Sequence, residues 1–140
     1  MSGARAVAVV VRDGRVLVIE RHLTGADPED YVVLPGGSVE AGETFEEATL
    51  RELWEETTLV GRIGDQLLAG RHHGREARYF LIKDVIGEAE LSGPELADHR
   101  PDDSFRLRWV AIDDLADLPL FPGHLRADLS RLLAPQVTGE

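Results

Sequence analysis

The chain has 140 residues and no cysteine, which excludes disulfide frameworks and cysteine-based zinc sites. Its 26 acidic and 15 basic residues give a formal net charge of −11, which predicts a surface that repels nucleic acid and anionic membranes. The longest apolar run, 6–11, is far shorter than the ~20 residues that a membrane span needs. Together these properties predict one globular domain over residues 1–140, located in the cytoplasm, with a homodimer left open.

Three strands are predicted in the first part of the chain. Residues 4–11 are apolar and β-branched, and Asp13-Gly14 predicts a tight hairpin turn after them. The returning strand is predicted at 16–20, and the polar stretch 22–30 is predicted to be a loop. A short strand follows at 31–34 and ends at a Pro-Gly-Gly sequence.

The rest of the chain alternates between helical and strand patterns. We predict a helix at 44–57, strands at 60–70 and 77–85, an irregular acidic stretch at 87–104, a strand at 105–112, a turn or short helix at 113–118 and an amphipathic helix at 123–133. Strands on both sides of a helix in one small domain predict an α/β or α+β layered fold.

The acidic residues are concentrated before and within the first predicted helix. Residues 40–56 contain seven Glu and one Arg. Thr44 and Glu47 have the spacing of a capping box, which predicts that the helix begins just after Thr44. A buried stripe is predicted on one face of this helix, formed by Leu50, Leu53, Trp54 and Thr57.

Three carboxylates share the roughly opposite face of the same helix. Glu52, Glu55 and Glu56 have the i, i+3 and i+4 spacing of neighbours, and like charges at this spacing destabilise a helix. Their position near the negative end of the helix dipole adds to the cost, and a single Arg51 cannot balance three carboxylates. Two interpretations stay open at this point: a solvated acidic face, or a site for a hard cation such as Mg²⁺ or Mn²⁺.

The Gly-Gly sequence before the helix adds a second observation. Gly36 and Gly37 follow a predicted strand, and adjacent glycines let the backbone bend sharply and let a ligand approach closely. A carbonyl exposed at this turn is a candidate oxygen ligand, although a Gly-Gly turn alone is weak evidence.

Taken together, these residues resemble the signature of the Nudix hydrolase family. The pattern is Gly, five residues, Glu, seven residues, Arg-Glu-apolar, one residue, Glu-Glu, one residue, Gly-apolar. Residues 37–59 match eight of its nine fixed positions, and the stretches 31–37 and 106–110 also resemble the family. The exception is Thr58, which stands where the family has a glycine that closes the helix.

The resemblance implies a fold and a set of roles. It implies an α/β/α sandwich with a mixed sheet, and a hydrolase that acts on a nucleoside diphosphate linked to another group. In this interpretation the metal ligands are Glu52, Glu55, Glu56 and the carbonyl of Gly36, and the general base is Glu55 or Glu56. Arg51 would hold the catalytic carboxylates by ion pairing, with Glu43 and Gly37 in supporting roles.

Phosphate groups also need hydrogen-bond donors. Arg21 follows the second strand, and Arg71 lies in a loop with two histidines, so both are candidate substrate-binding residues. Glu95 lies in a Gly-Pro-Glu sequence that is similar to a feature of some family members, so it is a candidate for a further acidic group at the site. Asp98, Asp102 and Asp103 are alternative candidates for this role.

Three classes of function remain. The first is a Mg²⁺-dependent pyrophosphohydrolase, with a (d)NTP slightly favoured over ADP-ribose, nucleotide sugars and dinucleoside polyphosphates because the domain is minimal. The second is a nucleotide-binding module without turnover, although such modules usually lose the box carboxylates that this chain keeps. The third is an acidic interaction protein with a cation site, which gives no reason for the spacing over 37–59.

Overall fold

The computed structural model describes residues 3–23, 29–72, 74–90, 103–120 and 122–133. Within these residues the strands are β1 (Arg5–Arg12), β2 (Arg15–Leu23), β3 (Glu29–Val33), β4 (Gly36–Ser38), β5 (Val60–His72), β6 (Arg75–Ile86) and β7 (Asp103–Ala111). The helices are α1 (Phe45–Thr57) and α2 (Leu125–Leu133), with a 3-10 helix (Ile112–Asp117) after β7. No helix in this described part is both long enough and apolar enough to cross a membrane.

The sheet is mixed and is centred on β1 and β2. Strand β1 runs parallel to β6 and antiparallel to β4, and it pairs with β2 only beside the hairpin turn. One edge of β2 pairs with β7 along its whole length. The opposite edge pairs with β1 beside the hairpin turn and with β3 at the end far from that turn. Both residues of the predicted hairpin turn, Asp13 and Gly14, have positive φ, which matches the twist of the two strands.

Helices cover both faces of the sheet, so the side chains of β1 are buried in both directions. Val10 packs in a cluster with Leu53 of α1. Its neighbour Val9 points to the opposite face and packs in a cluster with Leu125 of α2. The α/β/α sandwich with a mixed sheet is therefore confirmed, and its core explains why 6–11 forms a continuous apolar run rather than an alternating one.

The predicted turn at Gly36 and Gly37 is wrong, because these residues form strand β4. Neither glycine has a positive φ, so the freedom of a glycine turn is not what the position requires. A Cβ on Gly36 would lie 2.6 Å from the carbonyl oxygen of Ala6 and 2.9 Å from the Cα of Val7. Glycine is needed because β4 packs closely on β1.

Two other boundaries differ from the sequence prediction. The predicted loop at 22–30 is partly strand, because β2 continues to Leu23 and β3 begins at Glu29, where the two pair with each other. The register with β7 also continues to Leu23, opposite Asp103, so β2 has partners on both edges. Residues 24–28 and most of the predicted irregular stretch 87–104 lie outside the described residues.

Helix α1 begins as predicted and buries Leu53 and Thr57 of the predicted stripe, but Trp54 is outside it. Thr44 is the N-cap and forms the complete capping box with Glu47. Trp54 was predicted to be buried and is 54% exposed. The buried face extends instead to Ala48 and Glu56, because α1 packs on β1 and β4 as well as on β5, which turns the Glu56 side of the helix towards the sheet.

The residue after α1 takes the strained conformation that a glycine would favour. Thr58 has φ 62° and ψ 11°, and its N–H donates to the carbonyl of Trp54 at 2.9 Å. Its hydroxyl donates to the carbonyl of Glu88 at 3.1 Å, which offsets part of the strain of a β-branched residue.

We therefore expect Thr58→Gly to leave the free energy of unfolding unchanged or to raise it by about 0.5–1 kcal/mol, since the left-handed strain outweighs one exposed hydrogen bond. Thr58→Ala is the control, because it removes the hydrogen bond and keeps the strain. Urea unfolding measures both variants. Equal destabilisation by the two substitutions would contradict the assignment of strain to this position.

Candidate metal and catalytic site

Arg51 is the centre of a network that joins α1 to the segment before it. Its Nε donates to Glu43 Oε2 at 2.6 Å, and its Nη2 donates to Glu43 Oε1 at 2.9 Å. Its Nη1 donates to Glu52 Oε2 at 3.1 Å and to Glu55 Oε1 at 3.0 Å. Nη2 also donates to the carbonyl of Ser38 in β4 at 3.0 Å, so one guanidinium fixes three carboxylates relative to that strand.

The electrostatics of this network favour its charged form. The hydrogen bonds from Arg51 lower the pKa of Glu43, and the backbone N–H of Glu40 adds to this effect. In return, the hydrogen bond to Glu43 raises the pKa of Arg51 further above its ordinary value, against the opposing effect of burial. The Arg51 side chain is 22% exposed and that of Glu52 is 14% exposed, so water screens these charges only in part.

Glu56 is held differently from the other two helix carboxylates. It is buried, and its Oε1 accepts a 2.9 Å hydrogen bond from the backbone N–H of Gly36. The contact therefore satisfies two polar groups at once: the Glu56 carboxylate on the core-facing side of α1, and the Gly36 N–H of the short strand β4.

Gly37 lies directly against the carboxylate of Glu52. A Cβ at Gly37 would overlap the carboxylate of Glu52. Glu52 and Glu56 are therefore both seated against the backbone of β4, at neighbouring glycines. The predicted mutual repulsion of the three carboxylates is thus relieved by Arg51 and by a backbone N–H.

A match to a family model shows which protein family has this arrangement. The NUDIX domain model matches residues 3–129, which is nearly the whole described structure. The chain belongs to the Nudix hydrolase family.

Individual relatives agree with this family. The chain is 32% identical over 110 residues to an ADP-ribose pyrophosphatase from Methanocaldococcus jannaschii, covering 75% of this chain and 64% of that protein. It is 29% identical over 104 residues to an RNA pyrophosphohydrolase from Erythrobacter litoralis, covering 61% of this chain and 62% of that protein. Both matches span less than two thirds of the relative's length.

A solved structure gives the same result over almost the full chain. The crystal structure of a MutT NUDIX hydrolase from Burkholderia pseudomallei superposes with a TM-score of 0.69 at 30% identity, covering 92% of this chain and 96% of the other.

Members of the Nudix family use divalent metals, and the donor chemistry of this site fits such an ion. Glu52, Glu55 and Glu56 supply carboxylate oxygens, the ligands that Mg²⁺ and Mn²⁺ prefer. As the side chains stand, the carboxylates are engaged by Arg51 and Gly36, and no group of three or more acidic, His or Cys side chains in the described ranges converges on one point. The metal roles of these residues and of the Gly36 carbonyl remain predictions.

Of the three candidate substrate-binding residues, the structure describes Arg21 and Arg71, which lie on different strands. Arg21 lies on β2, where its Nη1 donates to the hydroxyl of Tyr31 at 2.7 Å. Arg71 lies near the end of β5 and donates to the carbonyl of Gly74 within the same hairpin. The registers from β4 through β1 and β6 to β5 place Arg71 about three strand spacings, roughly 14 Å, from Ser38. Glu95 lies outside the described residues.

The sequence interpretation missed one charged cluster of this Nudix chain. Glu20 on β2 accepts hydrogen bonds from Arg106 and Arg108 on β7. In the sequence, the stretch 106–110 stands out only as a flank of the family pattern. The alternation Arg-Leu-Arg-Trp is the signal that places both arginines on one face of the strand, but the pairing with Glu20 depends on a register 86 residues apart in sequence.

Arg51 leads to a prediction about stability. We expect Arg51→Ala to lower the free energy of unfolding by about 2 kcal/mol near neutral pH, because Glu43 and Glu52 lose their cation. The pKa of Glu43 is lowered in the folded state, so its contribution is present above its ordinary value of about 4.3 and disappears as the pH falls through the lowered value. The difference in the free energy of unfolding between the wild type and Arg51→Ala should therefore become smaller towards pH ~3.

Arg62→Ala is the matched control for this measurement. Arg62 also binds a carboxylate, Asp84, at 2.9 Å, but both side chains are mostly exposed, so we expect a change within about 0.5 kcal/mol. Urea unfolding at the two pH values gives both numbers. An Arg51→Ala effect as small as that of Arg62→Ala would show that the network does not stabilise the fold.

Proposed function

We propose that this protein hydrolyses a pyrophosphate bond of a nucleotide with the help of Mg²⁺ or Mn²⁺, and that a nucleoside triphosphate is the favoured substrate. The observation that carries the proposal is the seating of Glu52 and Glu56 on the backbone of β4 while Arg51 holds Glu43, Glu52 and Glu55. A solvated acidic face would not need a buried carboxylate or a guanidinium that is shared by three of them. Preorganised carboxylates of this kind suit cation binding next to a polyanionic substrate.

Each residue then has a role that its contacts support. Glu52, Glu55 and Glu56 would hold the cation, with the Gly36 carbonyl as a further ligand. A bound divalent cation supplies charge neutralisation at the phosphate and a lower pKa for the attacking water. Arg51 and Glu43 keep the carboxylates in place, and Glu55 or Glu56 accepts the proton of the water. The Glu55 side chain is 45% exposed, whereas Glu56 is buried, so Glu55 has the readier access to water.

The α1 carboxylates support the choice of substrate less than they support any other part of the proposal. The name of one relative, an ADP-ribose pyrophosphatase, supports an alternative that the sequence already offered, and that of another, an RNA pyrophosphohydrolase, adds RNA to the alternatives. The net charge of −11 disfavours a long RNA, which would bring many more phosphates near the surface than a free nucleotide does. A cytoplasmic location and a possible homodimer stay predictions.

A substrate panel tests the proposal directly. Nucleoside and deoxynucleoside triphosphates, ADP-ribose, a nucleotide sugar, a dinucleoside polyphosphate and a 5′-triphosphorylated RNA are each incubated with Mg²⁺, with Mn²⁺ and with EDTA, and the products are resolved by chromatography. We expect cleavage of a triphosphate with metal and none in EDTA. Nucleotide binding without cleavage of any compound would instead support the non-catalytic module.

A further inference from the structure

A small cavity lies between the sheet and the first turn of α2. Arg5 of β1 and Tyr79 of β6 line it from the sheet, and Pro122 and Leu125 line it from the helix side. Its volume is about 10 Å³, which is close to the smallest space that holds one water-sized particle. A ligand of this cavity is therefore a single atom or a group of similar size.

The sheet places Arg5 and Tyr79 together on the face that α2 covers. Val7 lies opposite Tyr79 in the parallel pair of β1 and β6, and both pack in the cluster that contains Leu125 of α2. Arg5 comes two residues before Val7 on β1, so its side chain shares this face because side chains alternate along a strand. Helix α1 packs on the opposite face, and the cavity is therefore separate from its carboxylates.

Arg5 and Tyr79 each have a buried polar atom without a hydrogen-bond partner among the residues that the structure describes. These atoms are the Nε of Arg5 and the hydroxyl oxygen of Tyr79. Tyr79 is only 1% exposed, so bulk solvent does not satisfy its hydroxyl. Native proteins rarely leave such groups unsatisfied, because desolvation without a hydrogen bond destabilises the fold. Two such atoms on residues that line one cavity therefore indicate a ligand that contacts both.

The electrostatics of this cavity favour an anion. Arg5 is a permanent cation, and no acidic side chain is present among the described residues that line the cavity. The first turn of α2 adds the positive end of a helix dipole. Burial raises the pKa of Tyr79 to about 12, against the opposing charge of Arg5, so the hydroxyl keeps its proton at neutral pH and can donate it.

The hydrogen-bonding groups of the cavity distinguish an anion from a water molecule. The Nε of Arg5 can only donate, and the protonated hydroxyl of Tyr79 also has a hydrogen to donate. The other side chains of the described lining are apolar, namely Val7, Val33, Leu34, Pro122 and Leu125. A water molecule that accepts from both donors would find no lining side chain to accept its own two hydrogens. A halide ion needs donors only, so it satisfies both residues without this cost.

We propose that a single chloride ion binds in this cavity, between the Nε of Arg5 and the hydroxyl of Tyr79 at the first turn of α2. The ion neutralises Arg5 and connects β1 and β6 to the helix that covers them, so it stabilises the folded chain. The site goes beyond the proposed hydrolysis and does not depend on it, because no carboxylate of α1 contributes to it.

Thermal unfolding of the full chain tests the proposal, with sodium gluconate replaced by sodium chloride or sodium bromide at constant ionic strength. Gluconate is too large for the cavity, and an ion that binds only the folded state stabilises it by mass action. We expect the wild-type Tm to rise by about 2–4 °C as the halide increases from about 10 to about 300 mM. Tyr79→Phe removes the hydroxyl and Arg5→Met removes the charge, so the rise should disappear in both. Arg62→Ala, which removes an exposed arginine of β5, should keep it.

Wild-type crystals grown in sodium bromide give a second measurement that does not depend on the variants. We expect an anomalous difference peak within hydrogen-bond distance of both Arg5 Nε and the Tyr79 hydroxyl. Density there without anomalous signal would show water only, and a peak without halide-dependent Tm would show an adventitious ion only; either result overturns the proposal. An equal rise in Tm for the wild type and a folded Tyr79→Phe variant would overturn it as well. Neither measurement involves a nucleotide or a divalent metal, so failure of this site and failure of the proposed hydrolysis are distinguishable.

Discussion

Replacement of either helix carboxylate that can act as a base is expected to lower kcat at least ~10²-fold. Glu55→Gln and Glu56→Gln each remove a cation ligand and a proton acceptor while keeping the size of the side chain. The amide oxygen of Gln can still accept the hydrogen bond from Gly36, so Glu56→Gln should remain folded. Steady-state hydrolysis of the best substrate from the panel, with Mg²⁺ and with excess EDTA, measures the effect.

Two controls make this result specific. Glu46→Gln changes a carboxylate of the same helix that lies in its first turn, and we expect its kcat to stay within about twofold of wild type. Circular dichroism of each variant confirms that the helix is intact. Full activity of the wild type in EDTA, or of both Gln variants with Mg²⁺, would disprove the metal and catalytic roles.

The largest effect on stability is expected from Gly36→Ala. The added Cβ would meet the carbonyl oxygen of Ala6 and the Cα of Val7, which are backbone atoms in the middle of the sheet and cannot move aside as a side chain would. We expect a loss of about 2–3 kcal/mol in the free energy of unfolding, together with a loss of activity because β4 carries the N–H that holds Glu56.

Gly123→Ala is the matched control for this substitution. A Cβ at Gly123 has no heavy atom within 4 Å, and the residue does not need a positive φ, so the change should stay within about 0.5 kcal/mol. Urea unfolding compares the two. If Gly36→Ala is as stable as Gly123→Ala, close contact between β4 and β1 is not the reason for this glycine.

Local sequence signals predicted much of this fold. The Asp13-Gly14 turn and the Thr44 capping box depend on residues that are close in the chain, and both formed as expected. The family resemblance over 37–59 predicted the sandwich, which no local pattern specifies.

Features that depend on contacts between distant segments were not predicted. The buried stripe of α1 was placed on the Trp54 side, because the periodicity of one helix does not show that β4 covers the Glu56 side. Gly36 and Gly37 were assigned to a turn, since their sequence does not distinguish a need for positive φ from a need for space beside Ala6 and Glu52. The pairing of Glu20 with Arg106 and Arg108 was not predicted either, because it depends on the register between β2 and β7, which are far apart in sequence.

The position of β4 has a consequence for the order in which this protein folds. β4 pairs only with β1 among the described strands, and β1 in turn pairs in parallel with β6, so that Arg5 lies beside Ala77. Contacts this far apart in sequence form slowly, because a long loop must close before they are made. The β1–β4 pair on which Glu56 is seated therefore gains the support of β6 only after more than half of the chain has been synthesised. A nascent chain that has already formed α1 would carry all the signature carboxylates, yet β6 would not yet be present to pair with β1 behind them.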